Sequence, residues 1–392
     1  MKNIRDLHLE GKRVLIRVDF NVPMDESGAI TDDIRMRRAL PTLGYALEKG
    51  AKLIVASHFG RPKGKRVEKF SLAPVAAHLA SLLGTRVEMA PDCIGAETEA
   101  MVAAMEQGDV LLLENLRFHS GETENSDEFA GRLAALADVY VNDAFAVSHR
   151  AHASVVGVPA LVEERGAGFL LQKEMDYFHR SMDEPTRPLV AIVGGAKVSS
   201  KLGALTNMLD KVDRMLIGGA MANTFLKGRG YEVGASKVED DLLETARDFL
   251  DKAEAKGIKI YLPVDVIAAD RFAPDAITKQ VTIRDIPEGW MALDVGPATV
   301  IQFREAIADA RTIIWNGPMG AFEMDAFSRG TMAMVSAVAS SHALSITGGG
   351  DSNAAVNKSG EADNISYMST GGGAFLMLME GKTLPGVAAL EQ

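Results

Sequence analysis

The chain has 392 residues, carries 42 Lys and Arg against 53 Asp and Glu for a formal net charge of −11, and is 47% hydrophobic with a mean hydropathy of +0.04. These values fit an ordinary soluble globular protein with more residues than one core usually supports, and they point away from a basic nucleic-acid footprint. No apolar run approaches the ~20 residues of a membrane span and MKNIRDLHLEGK lacks a secretory apolar stretch, so a cytoplasmic location without membrane or nucleic-acid partners is expected, and the single Cys93 predicts no disulfide framework and no cysteine metal site.

In chain order, nine apolar runs end abruptly in polar or glycine-rich bursts. The first half holds VLIRVDFN (14–21), LIVASHFGR (53–61), VLLLENLRF (110–118) and VYVNDAF (139–145). The second holds LVAIVGGAK (189–197), MLIGGAM (215–221), IKIYLPVD (258–265), TIIWNGPMG (312–320) and LSITGGGDS (344–352). Short, largely β-branched runs bounded by turn formers predict buried parallel strands. Amphipathic stretches at 34–49, 72–83, 127–137, 240–256 and 298–311 predict crossover helices, with Pro41 expected to kink or interrupt the first. The fold class is therefore α/β. The segment 163–188 reads as an interdomain helix with apolar surface to bury, and the tail TLPGVAALEQ carries Leu384, Val387 and Leu390, which predict docking.

Ligands of open α/β sheets sit at the carboxyl ends of the strands, and there the two halves differ. In the first half, Asp19 and Asn21 follow a strand, with an Asx-type turn as the simpler reading of either alone. His58 and Arg61 lie on a glycine turn, Arg35 at a helix start, and Arg117 and Arg150 in loops after strands. Several arginines at equivalent edges suggest a pocket for a small, multiply charged anion, since the guanidinium grips phosphate or carboxylate in two-pronged fashion. His149 and His152 match no metal pattern. In the second half the strand ends carry glycines. GGAKVSSK (194–201) offers backbone N–H groups to an anion, and Lys197 and Lys201 share one side if a helix has begun there. GGAMANTFL (218–226), NGPMGAFE (316–323) and GGGDS (348–352) repeat the theme. Each alone could be a bare turn; together they form a surface stripped of side chains, suited to a flat base and a polyphosphate. Asp351 is a candidate Mg²⁺ ligand, a helix N-cap, or both. STGGGAF (369–375) reads as a further helix start facing an anion.

Taken in order from RVDFNVP (17–23) to STGGGAF, these strings resemble the phosphoglycerate kinase family over essentially the whole chain. The resemblance implies two Rossmann-like domains, each a parallel sheet flanked by helices, joined by an interdomain helix. The implied ranges are 1–168 for a 3-phosphoglycerate domain, 169–188 for the helix and hinge, 189–370 for a nucleotide domain and 371–392 for a segment returning to the N-terminal domain. It places 3-phosphoglycerate on Asp19, Phe20, Asn21, Arg35, His58, Phe59, Gly60, Arg61, Arg117 and Arg150. It places ATP or ADP on Lys201, Gly218, Gly219, Glu323, Gly349, Gly350, Asp351 and Ser352, with Mg²⁺ on Asp351. Arg35, Lys197 and Gly371, Gly372 and Gly373 are implied to face the transferred phosphoryl group; Arg35 is matched by register, with Arg37 and Arg38 close by. Ser352 stands where the family commonly has threonine. A monomer is the family expectation.

The implied reaction is reversible phosphoryl transfer between ATP and the carboxylate of 3-phosphoglycerate. A carboxylate is already anionic at neutral pH, so no general base is required and charge neutralisation with positioning carries the catalysis. Without the resemblance, another kinase or a dehydrogenase on a doubly wound fold remains open, although the chain has no G-x-x-x-x-G-K-[ST] and no G-x-G-x-x-G string. So does a two-lobed anion-binding module without catalysis.

Overall fold

The computed structural model describes residues 1–391 as two compact units. The first comprises Met1–Met175 together with the segment from Thr383 onward, and the second Asp176–Lys382. Gln392, the last residue of the expected 371–392 segment, lies outside the described residues.

The first unit is built on six strands: β1 Arg13–Arg17, β2 Lys52–Ala56, β3 Glu88–Met89, β4 Val110–Leu112, β5 Val139–Asn142 and β6 Glu164–Ala167. They pair in parallel in the order β3-β4-β2-β1-β5-β6. The apolar runs form the four inner strands because both sheet faces are covered. Val14, Ile16, Leu53, Val55, Val110, Leu112, Val139 and Val141 all join one buried cluster. The helix Ile34–Glu48 continues past Pro41 without ending there. After β1 the chain winds outward through β2 and β4; β5 and β6 lie on the opposite side, so the winding reverses between β1 and β5.

The second unit repeats the plan with β7 Leu189–Val193, β8 Arg214–Ile217, β9 Lys259–Tyr261, β13 Thr312–Asn316, β14 Leu344–Gly348 and β15 Tyr367–Met368, in the order β15-β14-β13-β7-β8-β9. Here the winding reverses between β7 and β13. Every residue of both strands is buried. A separate antiparallel sheet of β10 Asp265–Ala269, β11 Thr278–Thr282 and β12 Met291–Val295 belongs to the same unit, in the order β11-β10-β12. The sequence pattern did not announce it, because β11 is mostly exposed and β12 holds a buried aspartate.

The connector differs in detail from its expected form. Residues 164–167 are the edge strand β6, and the helix Phe169–Phe178 carries the chain across the boundary at Met175 and Asp176. Its first turn is anchored in the first unit. Asp143 accepts hydrogen bonds from the Leu170 and Leu171 amides at 2.8 and 3.2 Å, and Thr42 Oγ1 accepts one from Phe169. The helix Gly372–Met379 lies in the second unit, so the segment grouped with the first unit begins at Thr383, not at 371. Its helix Pro385–Glu391 buries Val387 and Leu390, and Leu384 just before it is fully buried. Among the described residues, no helix is long and apolar enough to cross a membrane.

Candidate active site

In the first unit the loops after β1, β2, β4 and β5 converge. Asp19 Oδ2 accepts a 2.6 Å ion-paired hydrogen bond from Arg35, while its other oxygen lies 3.8 Å from His58 Nε2. Arg37, two positions on, pairs with Asp33 at the start of the same helix, whereas Arg35 pairs with Asp19 in the loop after β1. Asn21 Oδ1 accepts from the Gly60 amide at 2.8 Å, tying the first loop to the second. Arg117 donates to the Gly60 carbonyl at 2.8 Å, and Asn115 Oδ1 takes both the Phe59 and Arg117 amides. These bonds make the Asx-turn reading of Asn21 incomplete, because its side chain bridges two loops.

Arg61, Arg117 and Arg150 line a cavity of about 460 Å³ with Lys63, Gly64, Ser120, Thr123 and Glu124. Burial, with Arg17 and Arg150 nearby, pulls the Arg117 guanidinium down to about 10. Burial likewise drives His58 well below the ordinary imidazole range and His152 down to about 3, with the arginines adding to both. The histidines are therefore neutral at pH 7 and the positive charge is carried by arginine. Phe20 and Phe59 do not offer side chains to this cavity: both rings are buried in the core, leaving their backbone as the part available to a ligand.

Beneath the cavity lies a network that motif reading missed. Arg17 is fully buried, donates to Ser154 Oγ at 2.8 Å, approaches His58 Nδ1 at 3.2 Å, and sits 3.8 Å from Glu122, which is equally buried. Glu122 accepts from the Ser154 hydroxyl and amide. A glutamate inside SGETE carries no sequence signal of burial; only the fold turns it inward.

In the second unit the glycine turns stack on one another at the reversal between β7 and β13. Gly219 has φ of +67°, and a Cβ there would overlap the Gly195 backbone. Gly317, φ +97°, is likewise closed in by Gly194 and Lys201. Such contacts require residues without side chains. Gly218 lies behind them against Met319. The resulting cavity of about 510 Å³ is lined by Gly195, Gly219, Pro318, Gly320, Glu323 and Asp351. Its apolar lining includes Ala235, Phe272, Met291 and Leu293, drawn in part from the unforeseen antiparallel sheet. Phe272 is 62% exposed at this wall.

The two lysines of GGAKVSSK do not share a helix face, because the helix begins only at Leu202. Lys201 turns inward and donates to the Asn316 backbone and side-chain oxygens, and burial pulls its amine down to about 8, with Asp351 opposing the shift. Lys197 stays exposed on the loop. Asp351 is not an N-cap: the helix Gly350–Ser359 is capped by Gly349, and Asp351 sits in its exposed first turn. Ser352 is fully buried and accepts from the Gly317 amide at 2.6 Å, so its hydroxyl helps to shape the turn. Gly371 caps the helix Gly372–Met379, and a Cβ on Gly372 would come 3.1 Å from Gly349. Two helix N-termini thus open side by side, with their unpaired N–H groups and positive dipole ends suited to an anion.

A family model described as phosphoglycerate kinase matches residues 4–382. The chain is 72% identical over 391 residues to the phosphoglycerate kinase of Desulfotalea psychrophila, covering 100% of both, and 60% identical over 384 residues to that of Geobacter sp. strain M21, covering 98% of this chain and 96% of the relative. Among solved structures, phosphoglycerate kinase from Coxiella burnetii superposes with a TM-score of 0.92 at 46% identity, covering 100% of this chain and 99% of the other. The enzyme from Pyrococcus horikoshii gives 0.85 at 32% identity, covering 100% and 98%.

Proposed function

The chain belongs to the phosphoglycerate kinase family, and from that premise we propose how its two clefts divide the work. As a phosphotransferase of glycolysis, it passes a phosphoryl group between ATP and 3-phosphoglycerate. Our reading assigns 3-phosphoglycerate to the arginine cavity of the first unit and the nucleotide to the glycine-lined cavity of the second. One observation carries it: the switch points of the two sheets have opposite chemistry, arginines at one and bare backbone beside an apolar wall at the other.

The arginines Arg61, Arg117 and Arg150 would hold the phosphate of the acid. Arg35, steered by Asp19, would face its carboxylate end, where the nucleophilic oxygen needs no base. The apolar wall with Phe272 suits a base, and the turns at Gly195 and Gly219 leave room for phosphates. A phosphoryl group in flight spreads negative charge over three oxygens, so the catalytic task is electrostatic. Lys197 is the exposed charge suited to it, because Lys201 is already committed to Asn316. The paired helix starts at Gly350 and Gly372 would add N–H donors.

Asp351 fits Mg²⁺ of a nucleotide complex: one exposed carboxylate at the cavity edge is the usual protein share of a magnesium site that otherwise keeps water and phosphate oxygens. That ion would supply charge neutralisation between the terminal phosphates. Transfer between ligands on separate units requires in-line approach, which gives the 163–188 connector the role of a hinge. A cytoplasmic monomer is the accompanying reading. A coupled assay with ATP, Mg²⁺ and 3-phosphoglycerate tests the whole: turnover should need all three. The two-lobed module without catalysis would bind the acid and turn over nothing.

A further inference from the structure

Strands β3 and β4 are parallel neighbours at one edge of the first sheet, so the loops leaving them run side by side. Asp92 and Cys93 lie on the first loop. His119 lies on the second, 27 positions from Asp92 in sequence. Their ligand atoms, one carboxylate oxygen, the thiol sulfur and one imidazole nitrogen, all fall within 4.8 Å of one another. Cys93 is fully buried, whereas the side chains of Asp92 and His119 are 40% and 31% exposed. The sulfur thus forms the floor of the cluster, and the oxygen and nitrogen form its rim.

The cluster is held in shape by its surroundings. His119 Nε2 and Asp92 Oδ1 are 2.7 Å apart, and the same oxygen accepts the Cys93 amide at 2.6 Å. The imidazole packs on Phe129 with ring centroids 5.3 Å apart. We propose that Asp92, Cys93 and His119 form a binding site for a thiophilic divalent transition-metal ion of the zinc class, with water as the fourth ligand on the exposed side.

The donor set supports that class. Thiolate, imidazole and carboxylate together suit Zn²⁺, whereas Mg²⁺ takes oxygen and retains water. Metal–ligand bonds of about 2.0–2.3 Å in a tetrahedron put ligands about 3.3–3.8 Å apart, so a pair near the 4.8 Å limit would close by about an ångström while the 2.7 Å contact of His119 with Asp92 opens by about half that. On binding, the Cys93 S–H bond breaks, a sulfur–metal bond forms and that proton passes to solvent; where Nε2 of His119 is the ligand, the proton it donates to Asp92 moves through solvent to Nδ1, and no electron is transferred. Burial, with Asp92 beside it, holds the thiol well above its ordinary range, so without an ion Cys93 is an inert thiol. The site is separate from the proposed Mg²⁺ ligand Asp351, which lies in the other unit. It does adjoin the arginine cavity in sequence, since Arg117 and Ser120 flank His119 closely and both line that cavity.

The test uses the full-length protein, treated with chelator and titrated with Co²⁺ alone as a spectroscopic probe. One equivalent should bind, with a sulfur-to-cobalt charge-transfer band, tetrahedral ligand-field bands and release of the thiol proton, and Zn²⁺ should displace it. Cys93→Ser should abolish the charge-transfer band. His119→Gln, at a side chain about a third exposed, should weaken Co²⁺ binding at least tenfold with an unchanged far-UV circular dichroism spectrum. Absence of the band in the parent protein, its survival in Cys93→Ser, or affinity within twofold of the parent in His119→Gln overturns the proposal.

Discussion

Replacing Lys201 by methionine separates the cost of burying a charge from the gain of its hydrogen bonds. The Lys201 amine, drawn from 10.5 down to about 8 mainly by burial, is protonated in both folded and unfolded chains at pH 7. That downward shift means burying the charged form costs about 3 kcal/mol. Against this, methionine leaves the buried Asn316 Oδ1 without its donor, a loss of about 1–3 kcal/mol. At pH 7 the two effects nearly cancel, and the variant should be about as stable as the parent. From pH 8 toward 10.5 the folded parent gives up its proton while the unfolded chain keeps it. The unfolded state then binds more protons, so the parent's stability rises with pH. Relative to the variant, the parent should gain about 2 kcal/mol between pH 7 and pH 10. Urea unfolding followed by tryptophan fluorescence is the assay. The chain has two tryptophans, Trp290 and Trp315, and both lie in the second unit, so the signal reports the unit that contains Lys201. Parallel stability curves for parent and variant over this range would refute the reasoning.

Arg61→Ala should weaken 3-phosphoglycerate binding about tenfold or more in calorimetry and leave ADP unaffected; an equal loss of both would remove the division of ligands between units. Lys197→Ala should lower kcat by about 10²-fold or more while changing KM little for either substrate. A change confined to KM would assign Lys197 to binding instead. Glu122→Gln leaves the buried Arg17 guanidinium uncompensated and should destabilise the first unit by about 3–5 kcal/mol. Because that unit has no tryptophan, far-UV circular dichroism should show an early transition to which fluorescence is blind, and a single unmoved transition would count against it.

What the sequence made legible follows from what burial does to composition. Strands covered on both faces are largely apolar, so β1, β2, β4, β5, β7, β8, β13 and β14 stood out, each with its polar burst at the carboxyl end; the ninth run became β9, an edge strand with no buried residue. Strands β3, β6 and β15 are too short or too edge-bound to require such runs, and β11 faces solvent. The glycine turns were readable because close backbone approach excludes every other residue. Lys197 and Lys201 were paired on a helix that starts later, since spacing alone does not locate a helix start. Glu122 and the Asp92, Cys93 and His119 cluster were invisible for a different reason. Their meaning depends on which strands become neighbours, and neighbouring in a parallel sheet is not neighbouring along the chain.

The segment from Thr383 packs with a unit whose other residues end at Met175. Gly386 donates its amide to the Ser148 carbonyl, and a Cβ there would press into Val155. During synthesis, therefore, the unit that emerges first stays incomplete while ~200 residues of the second are made, a wait of ~10–40 s at ~5–20 residues per second. The second unit is contiguous and meets no such delay. The order in which the two units reach their final form on the ribosome need not follow the order of their codons.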